Sequence, residues 1–353
     1  MSDKILMKGN EALAEAAIRA GCRFFFGYPI TPQTQLPEYM AKKMPKIGGT
    51  FLQAESEVAA INMVLGAASA GVRVMTSSSS PGISLKAEGI SYLAGSDLPA
   101  VIVNIQRGGP GLGGIQPSQA DYWQATKGLA HGDFRVLSLA PAGIQEAVDL
   151  MGTAFDLADK YRMPVMILGD GILGQMMEPV RLPEPVAELP EKPWATTGTK
   201  GKRKHNIVNS LYIQPEALED IVRARYERYA EVEANEVRVE TWLCDDADII
   251  VTAYGSTARI CRNAIRAARA DGIKVGMIRP ITLWPFPSET YAAHVPHTKA
   301  ILDVEMSMGQ MIDDVRLAVG GSVPVRFFGR TGGVVPTPAE IRAEIDAICK
   351  EVK

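Results

Sequence analysis

The sequence predicts an α/β protein built from two open, doubly wound domains, each with a parallel sheet. Short strand-like runs that are apolar on both sides alternate with longer helical segments, which is typical of a parallel sheet covered by helices on both faces. The alternation stops near residue 178 and resumes near residue 242. With 353 residues, the chain is long enough for two domains with buried cores.

The first domain is expected to span residues 1–178. Its predicted strands lie at residues 24–26, 72–77, 101–106, 135–140 and 164–168. Residues 179–241 are predicted to form a linker, because a proline-rich stretch is followed there by one charged helical segment, EALEDIVRARYERYAEVEANE.

The second domain is expected to span residues 242–353. Strand-like runs such as DIIVTAYG, KVGMIRP, KAILDVE and SVPVRFF surround the helical segment TARICRNAIRAARADG. The last helix is predicted to begin with Thr337, Pro338 and Glu340, which fit an N-cap, a first-turn proline and a capping box.

Composition excludes several classes of function. The net charge of −3 and the pI near 5.9 give no basic surface for nucleic acid. No apolar stretch is long enough for a membrane span or a signal peptide, so we expect a cytoplasmic protein without a membrane partner. The cysteines lack the spacing that zinc or iron–sulfur clusters require. They are Cys22, Cys244, Cys261 and Cys349.

Four unusual segments follow predicted strands, where open α/β sheets bind ligands. They are GYPITP (27–32), TSSSSPG (76–82), QRGGPGLGG (106–114) and GDG (169–171), and we expect each to be a loop. Prolines on both sides of Thr31 predict a rigid, non-helical loop. Arg107 is followed by glycines that let backbone approach a ligand, which suits bidentate capture of a carboxylate or phosphate by its guanidinium. A surface ion pair is the simpler alternative for Arg107.

Two of these segments imitate cofactor motifs without completing them. Gly109, Gly111 and Gly114 satisfy G-x-G-x-x-G, but they do not follow the first strand and do not open directly into a helix, so we reject a dinucleotide site. Gly169-Asp170-Gly171 begins like the metal-diphosphate motif of thiamine enzymes, yet the stretch that should carry its asparagine has none. We therefore expect no metal site in this chain.

Two glutamates precede a helical segment rich in small residues, LQAESEVAAINMVLGAASAG. Glu55 and Glu57 could both be first-turn acids favoured by the helix dipole. The apolar surroundings of Glu57 offer few ways to solvate a carboxylate, and a carboxyl group held there can engage a cofactor nitrogen.

Together, GYPITP, AESEVAAINMVLGAASAG, TSSSSPG and QRGGPGLGG resemble the pyrimidine-binding subunit of 2-oxoacid:ferredoxin oxidoreductases, and the resemblance covers nearly the whole chain. QRGGPGLGGIQPSQADYWQATKG is most similar to the separate subunit of the branched-chain (3-methyl-2-oxobutanoate) type. The segment from ADIIVTAYG to WPFP resembles a transketolase C-terminal-like domain. The first domain is thus identified as a thiamine diphosphate pyrimidine-binding domain.

The resemblance implies roles for individual residues. Pro29 and Ile30 would lie beside thiamine diphosphate, and the hydroxyl of Thr31 would face the 2-oxoacid. Arg107 would bind the substrate carboxylate. The glutamate that contacts N1′ of the aminopyrimidine falls on Glu57, with Glu55 as the alternative.

The resemblance also implies an assembly. Oxidative decarboxylation of a 2-oxoacid to acyl-CoA and CO₂, with reduction of ferredoxin, would require coenzyme A, Mg²⁺ and [4Fe–4S] clusters. The metal and the clusters would sit on partner subunits: a thiamine diphosphate-binding β subunit, a γ subunit and a ferredoxin-like δ subunit.

Several alternatives stay open from sequence. The chain could belong to a 2-oxoglutarate enzyme or to a transketolase-like enzyme without electron transfer, although the histidines of a sugar channel are missing from the four segments. It could also be a scaffold without catalytic residues. The basic stretch KGKRKH, Lys200 to His205, is most simply a solvated linker, with a coenzyme A phosphate site as the alternative.

Overall fold

Three β-sheets organise residues 4–351, which are the residues that the computed structural model describes. The strands are β1 (Ile5–Lys8), β2 (Phe24–Gly27), β3 (Thr50–Gln53), β4 (Val74–Ser78), β5 (Ala100–Gln106), β6 (Leu137–Leu139), β7 (Pro164–Asp170), β8 (Met177–Val180), β9 (Val239–Trp242), β10 (Ile249–Thr252), β11 (Val275–Pro280), β12 (Thr282–Trp284), β13 (Ala300–Glu305) and β14 (Val325–Gly329).

Helices follow most of these strands. They are α1 (Gly9–Arg19), α2 (Gln35–Lys43), α3 (Glu57–Ser69), α4 (Ser80–Gly95), α5 (Tyr122–Thr126), α6 (Ile144–Tyr161), α7 (Gly171–Gln175), α8 (Pro215–Asn235), α9 (Gly255–Ala270), α10 (Ser288–His294), α11 (Met311–Val319) and α12 (Pro338–Glu351). Two short 3₁₀ helices cover Met44–Ile47 and Val295–His297.

The largest sheet has seven strands in the order β12-β6-β7-β5-β4-β2-β3, and its neighbours are parallel except at the β12–β6 edge. A five-stranded sheet has the order β14-β13-β10-β11-β9 and is parallel except for β9. β1 and β8 form an antiparallel pair. Two open α/β sheets confirm the predicted fold class.

Helices pack on both faces of the seven-stranded sheet. Buried side chains of α1, α2 and α6 form one core, while those of α3 and α4 form another on the opposite face. The chain therefore changes face between β2 and β4, and the crevice at such a switch point is where open α/β sheets bind ligands. The segments after β2 and β4 meet at this crevice.

Several sequence-based expectations need correction. Neither TSSSSPG nor GDG is a loop, because β4 continues to Ser78 and α4 begins at Ser80, while β7 continues to Asp170 and α7 begins at Gly171. Pro81 lies in the first turn of α4, where a missing N–H costs nothing. The prediction also missed β1, β3, β8, β9 and β12. These strands have three or four residues each, and all but β12 have exposed or half-exposed side chains.

The capping box at the last helix is confirmed. The Thr337 hydroxyl accepts a hydrogen bond from the Glu340 main-chain N–H at 3.2 Å, and the Glu340 carboxylate accepts one from the Thr337 N–H at 2.8 Å. α12 begins at the intervening Pro338.

Side chains join the seven-stranded and five-stranded parts of the molecule. The Gln119 amide donates to the carbonyl of Tyr254 at 2.9 Å and accepts from the Thr257 hydroxyl at 2.7 Å. The Arg279 guanidinium donates two hydrogen bonds to the Glu146 carboxylate, at 2.8 and 3.0 Å. Within residues 4–351, no helix combines the length and apolar character needed to cross a membrane.

Candidate active site

The junction between β4 and α4 joins the strand ends that carry the candidate residues. The Ser80 hydroxyl accepts a hydrogen bond from the Arg107 main-chain N–H at 3.0 Å and donates one to Asp121 at 2.6 Å. The Ser80 N–H donates to the Asn104 side chain at 3.1 Å. Burial raises the pKa of Asp121, and the hydrogen bonds from Ser80 and Asn104 oppose that rise. The end of β5 is thus fixed to the start of α4.

Glu57 begins α3 and is buried, with 6% of its surface exposed, whereas Glu55 is exposed. The Ser56 hydroxyl caps the helix by accepting from the Ala59 N–H at 3.1 Å. The helix therefore starts at the position that turns the Glu57 side chain inward. This arrangement favours Glu57 over Glu55 as the carboxyl group of a buried site.

The carboxyl group of Glu57 packs against α4 at Gly82. A Cβ atom at Gly82 would lie 2.7 Å from Oε1 of Glu57 and 2.0 Å from the hydroxyl oxygen of Ser78. Glycine is therefore needed for α3 and α4 to approach each other here. The hydroxyl groups of Ser78 and Ser79 are buried beside this contact and have no hydrogen-bond partner.

Hydrogen bonds from three directions hold the GYPITP loop. The carbonyl of Pro32 accepts from the side-chain amides of Asn10 and Gln175, both at 2.8 Å. The Gln33 side chain accepts from the Ser77 hydroxyl at 2.5 Å, which connects the loop to β4. The loop is not helical until α2 begins at residue 35, as its prolines predict.

The residues of this loop that were expected to meet ligands lie at the surface. Pro29 and Thr31 are exposed, and Ile30 is partly exposed. Thr31 borders a cavity of about 410 Å³ that Pro117 and Gly171 also line. Pro29 borders a second cavity, of about 210 Å³.

The side chain of Arg107 reaches from β5 to the GYPITP loop. Its guanidinium donates to the carbonyl of Thr31 at 3.0 Å and to the carbonyl of Leu112 at 3.2 Å. Arg107 is 8% exposed, and its Nε–H is buried without a partner. β4 lies between β2 and β5 in the sheet, so the long side chain of Arg107 spans the end of β4.

The glycine-rich segment after β5 folds back on itself. The Gly108 N–H donates to the carbonyl of Gln116 at 3.0 Å, and the Gly114 N–H donates to the carbonyl of Gly108 at 2.9 Å. Gly113 has φ +59, and a Cβ atom there would lie 1.9 Å from the Gly108 carbonyl oxygen. The glycines thus close a compact loop and do not begin a helix.

One carboxylate oxygen of the aspartate in the GDG segment accepts three hydrogen bonds. Oδ1 of Asp170 accepts from the N–H groups of Ile172 and Leu173, at 2.8 and 3.1 Å, and from the Ser256 hydroxyl at 3.0 Å. Asp170 caps α7 and is buried, and burial raises its pKa against these hydrogen bonds. One oxygen of the Asp170 carboxylate thus helps to hold the starts of α7 and α9 together.

This donor set fits one half of thiamine diphosphate. A buried carboxyl group beside unpartnered hydroxyls suits the nitrogen atoms of an aminopyrimidine, and Gly82 supplies the space that a Cβ would fill. The residues described, 4–351, contain no cluster of acidic, histidine or cysteine side chains arranged to hold a metal ion.

Sequence reasoning missed the structural part that Ser78, Ser80 and Gly82 play. Their segment was recognised as unusual, but only the junction geometry shows that Ser80 fixes Arg107 and that Gly82 receives Glu57. A serine run that ends in Pro-Gly directly after an apolar strand is the signal that could have pointed to them.

Two family models together match most of the chain. The family model for pyruvate flavodoxin/ferredoxin oxidoreductase, thiamine diphosphate-binding, matches residues 15–241. The model for pyruvate:ferredoxin oxidoreductase core domain II matches residues 247–341.

Individual relatives cover most of the chain. A ketoisovalerate oxidoreductase subunit, VorB, of Methanothermobacter marburgensis is 49% identical over 98% of both chains. A 2-oxoglutarate synthase subunit, KorA, of Methanothermobacter thermautotrophicus is 36% identical over 97% of this chain and 98% of its own. A structure of 2-oxoglutarate:ferredoxin oxidoreductase from Magnetococcus marinus, with 2-oxoglutarate, coenzyme A and succinyl-CoA bound, superposes with a TM-score of 0.89 at 30% identity. That match covers all of this chain and 66% of the other.

Proposed function

Since this chain belongs to the family of thiamine diphosphate-dependent 2-oxoacid:ferredoxin oxidoreductases, we propose that it supplies the aminopyrimidine side of the cofactor site and the binding site for the substrate carboxylate. One observation carries this proposal. The guanidinium of Arg107 lies against Thr31 at the carboxyl end of the sheet, and Glu57 is buried at that same end.

Glu57 is the proposed partner of N1′ of the aminopyrimidine. A carboxyl group hydrogen-bonded to N1′ can share a proton with it, and this favours the form of the ring that accepts a proton at its 4′-nitrogen. When bound, thiamine diphosphate serves as the electron sink for decarboxylation. Pro29 and Ile30 are the proposed contacts of the GYPITP loop with the cofactor. Glu57 shares the proton at N1′.

Arg107 and Thr31 are the proposed ligands of the 2-oxoacid carboxylate. The planar guanidinium matches a carboxylate in two parallel hydrogen bonds, and the buried Nε–H of Arg107 is a donor without a partner. The Thr31 hydroxyl sits in a loop that hydrogen bonds already hold, so little entropy is lost when it orients a substrate.

Partner subunits are proposed to complete the cofactor site, because the asparagine that should follow the GDG segment is missing. We propose that a β subunit binds Mg²⁺ and the diphosphate, and that [4Fe–4S] clusters on partner subunits, including a ferredoxin-like δ subunit beside a γ subunit, carry electrons to ferredoxin. Coenzyme A is the proposed acyl acceptor. The relative named with bound coenzyme A supports that choice.

The proposed substrate is the branched-chain acid 3-methyl-2-oxobutanoate (ketoisovalerate). Near full-length similarity to a ketoisovalerate oxidoreductase subunit supports it over 2-oxoglutarate, for which the similarity is lower. The stretch from Lys200 to His205 is exposed, and we propose that it is a linker and not a coenzyme A phosphate site.

The test is to copurify the tagged chain with its neighbouring subunits and to measure viologen reduction with branched, aryl and dicarboxylic 2-oxoacids. Coenzyme A-dependent reduction that is fastest with the branched acid is expected. Preference for 2-oxoglutarate would assign the chain to the dicarboxylate enzyme. Group transfer without viologen reduction would indicate a transketolase-like enzyme, and activity that survives changes at Thr31 and Arg107 would indicate a scaffold.

A further inference from the structure

Lys86 is a buried lysine that the proposed mechanism does not use. It lies in the second turn of α4, its side chain is fully buried, and its ammonium nitrogen has no hydrogen-bond partner. An unpaired buried ammonium ion is costly, and such groups persist mostly where they serve a function.

The helix period places Lys86 on the side of α4 that faces α3. Gly82 contacts Glu57, and a Cβ atom at Gly89 would lie 2.4 Å from Cγ2 of Ile61 on α3. Lys86 lies four residues after Gly82 and three before Gly89, so all three share one helix face. Long side chains on a helix point toward its N-terminus, which directs the Lys86 ammonium toward Gly82 and Glu57.

Glu57 is the charged group that acts on Lys86. α3 contains no other charged residue, β5 contains none, and the only one in β7 is Asp170, which caps α7. Burial lowers the pKa of Lys86 to about 8, and the attraction of Glu57 opposes that decrease. Lys86 and Glu57 form no direct ion pair, because no ammonium–carboxylate distance between them is within 4 Å.

We propose that Lys86 is a positioning residue whose buried ammonium ion stabilises the carboxylate form of Glu57 through space, across the α3–α4 contact. The proposal rests on the proposed role of Glu57 toward the aminopyrimidine. In the low dielectric of this contact, a charge beyond hydrogen-bond distance still favours the ionised form of an opposite charge.

The first test is a double-mutant cycle that needs no cofactor. Thermal unfolding midpoints are measured for the full chain with Lys86→Met, Glu57→Gln and both changes. Glu57→Gln should lower the midpoint by roughly 2 °C or more in the natural chain, because it removes the opposite charge that acts through space on the buried ammonium ion. The same change should have little effect beside Lys86→Met. Equal shifts in both backgrounds would overturn the coupling.

The second test follows exchange of the C2 proton of bound thiamine diphosphate against pH in the assembled complex. In Lys86→Met, the acid limb of the profile should move to higher pH, because the Glu57 carboxylate loses its counter-charge. Lys86→Arg keeps the charge and should restore the natural limb. Lys192→Met removes another buried ammonium ion, one that pairs with Asp159, and should leave the limb in place.

These outcomes separate the two proposals. Normal exchange in Glu57→Gln would refute the role of Glu57 and would remove the basis for a role of Lys86. Loss of exchange in Glu57→Gln, together with a natural profile in Lys86→Met, would refute the positioning role alone. The positioning role is also refuted if Lys86→Arg fails to restore the natural pH profile although its unfolding midpoint equals that of Lys86→Met.

Discussion

The guanidinium of Arg107 donates a hydrogen bond to the main-chain carbonyl of Thr31 at 3.0 Å, across the carboxyl end of the strand that separates them. One side chain therefore both holds the GYPITP loop and presents unused donors at its base. Changes at Arg107 should consequently affect substrate binding and loop order together, and the predictions below are designed to distinguish these effects.

Arg107→Ala should lower kcat/KM for every 2-oxoacid by roughly thirtyfold or more, because loss of one charged contact of this kind costs about 2 to 5 kcal/mol. Retention of thiamine diphosphate should be nearly unchanged. Arg107→Lys is the matched control, and it should also be impaired, since a point charge does not reproduce a planar fork. Steady-state kinetics and cofactor content measure both. A loss of cofactor with an intact KM would assign the arginine to the cofactor or the subunit interface.

Thr31→Val keeps the shape of the side chain and deletes its hydroxyl. The main-chain carbonyl that accepts from Arg107 stays in place, so the change isolates the hydroxyl contact. We expect a loss of about 1 to 3 kcal/mol in transition-state stabilisation, smaller than that of Arg107→Ala. A wild-type kcat/KM in this variant would remove Thr31 from the substrate site.

Glu57→Gln should retain thiamine diphosphate in the complex but reduce C2 proton exchange by a factor of about 10² to 10⁴, as loss of a positioned acid/base group does. Glu55→Gln is the control, because Glu55 is exposed and lies two residues away. Exchange measured by NMR in deuterated buffer gives the answer. A deficit confined to Glu55→Gln would transfer the role to that residue.

The isolated chain should bind no magnesium thiamine diphosphate. The stretch after Gly169-Asp170-Gly171 lacks the asparagine that should complete the metal-diphosphate motif, so we expect this subunit alone not to hold the metal. Isothermal titration calorimetry with Mg²⁺ and the cofactor should show no heat of binding. Micromolar, magnesium-dependent binding to the chain alone would contradict the division of the site between subunits.

The stability of the chain should depend on pH through Lys86. Its pKa of about 8 in the folded chain lies below the ordinary value of 10.5. Between these values the unfolded chain binds more protons, so the free energy of unfolding rises with pH across this window. Relative to Lys86→Met, the natural chain should gain about 3 kcal/mol from pH 7 to above pH 10.5. Urea unfolding at several pH values measures the difference, and a pH-independent difference would contradict a buried ammonium ion.

Sequence patterns predicted much of the fold because long, apolar strands are specified locally. The strands at β2, β4, β5 and β7 were expected because their runs are apolar, and their ends carry the unusual segments. All but one of the missed strands are exposed or half-exposed, and two of them pair across a long stretch of chain: β1 pairs with β8, more than 160 residues later. Periodicity within a short window contains no information about such contacts.

The sequence named the candidate residues Arg107, Thr31 and Glu57, and the family resemblance implied their roles. The contacts between them could not be predicted from the sequence. Whether Glu55 or Glu57 turns inward depends on where α3 begins, and the Ser56 cap determines that start. The part that Lys86 plays could not be inferred, because nothing in its neighbouring sequence shows that a lysine in a helix is fully buried.

The strand β12 has a consequence for how the molecule can be divided. It belongs to the later part of the chain, yet it pairs antiparallel with β6 at the edge of the seven-stranded sheet, and the Ala140 N–H donates to the Ile281 carbonyl beside it at 2.7 Å. Trp284 of this strand is buried against Tyr229 at a ring distance of 5.6 Å. A fragment that ends at residue 241 would expose β6 as a bare edge, the kind of surface that recruits other chains into aggregates. The part of the chain after residue 241 thus covers the edge strand of the first sheet and prevents it from pairing with another copy.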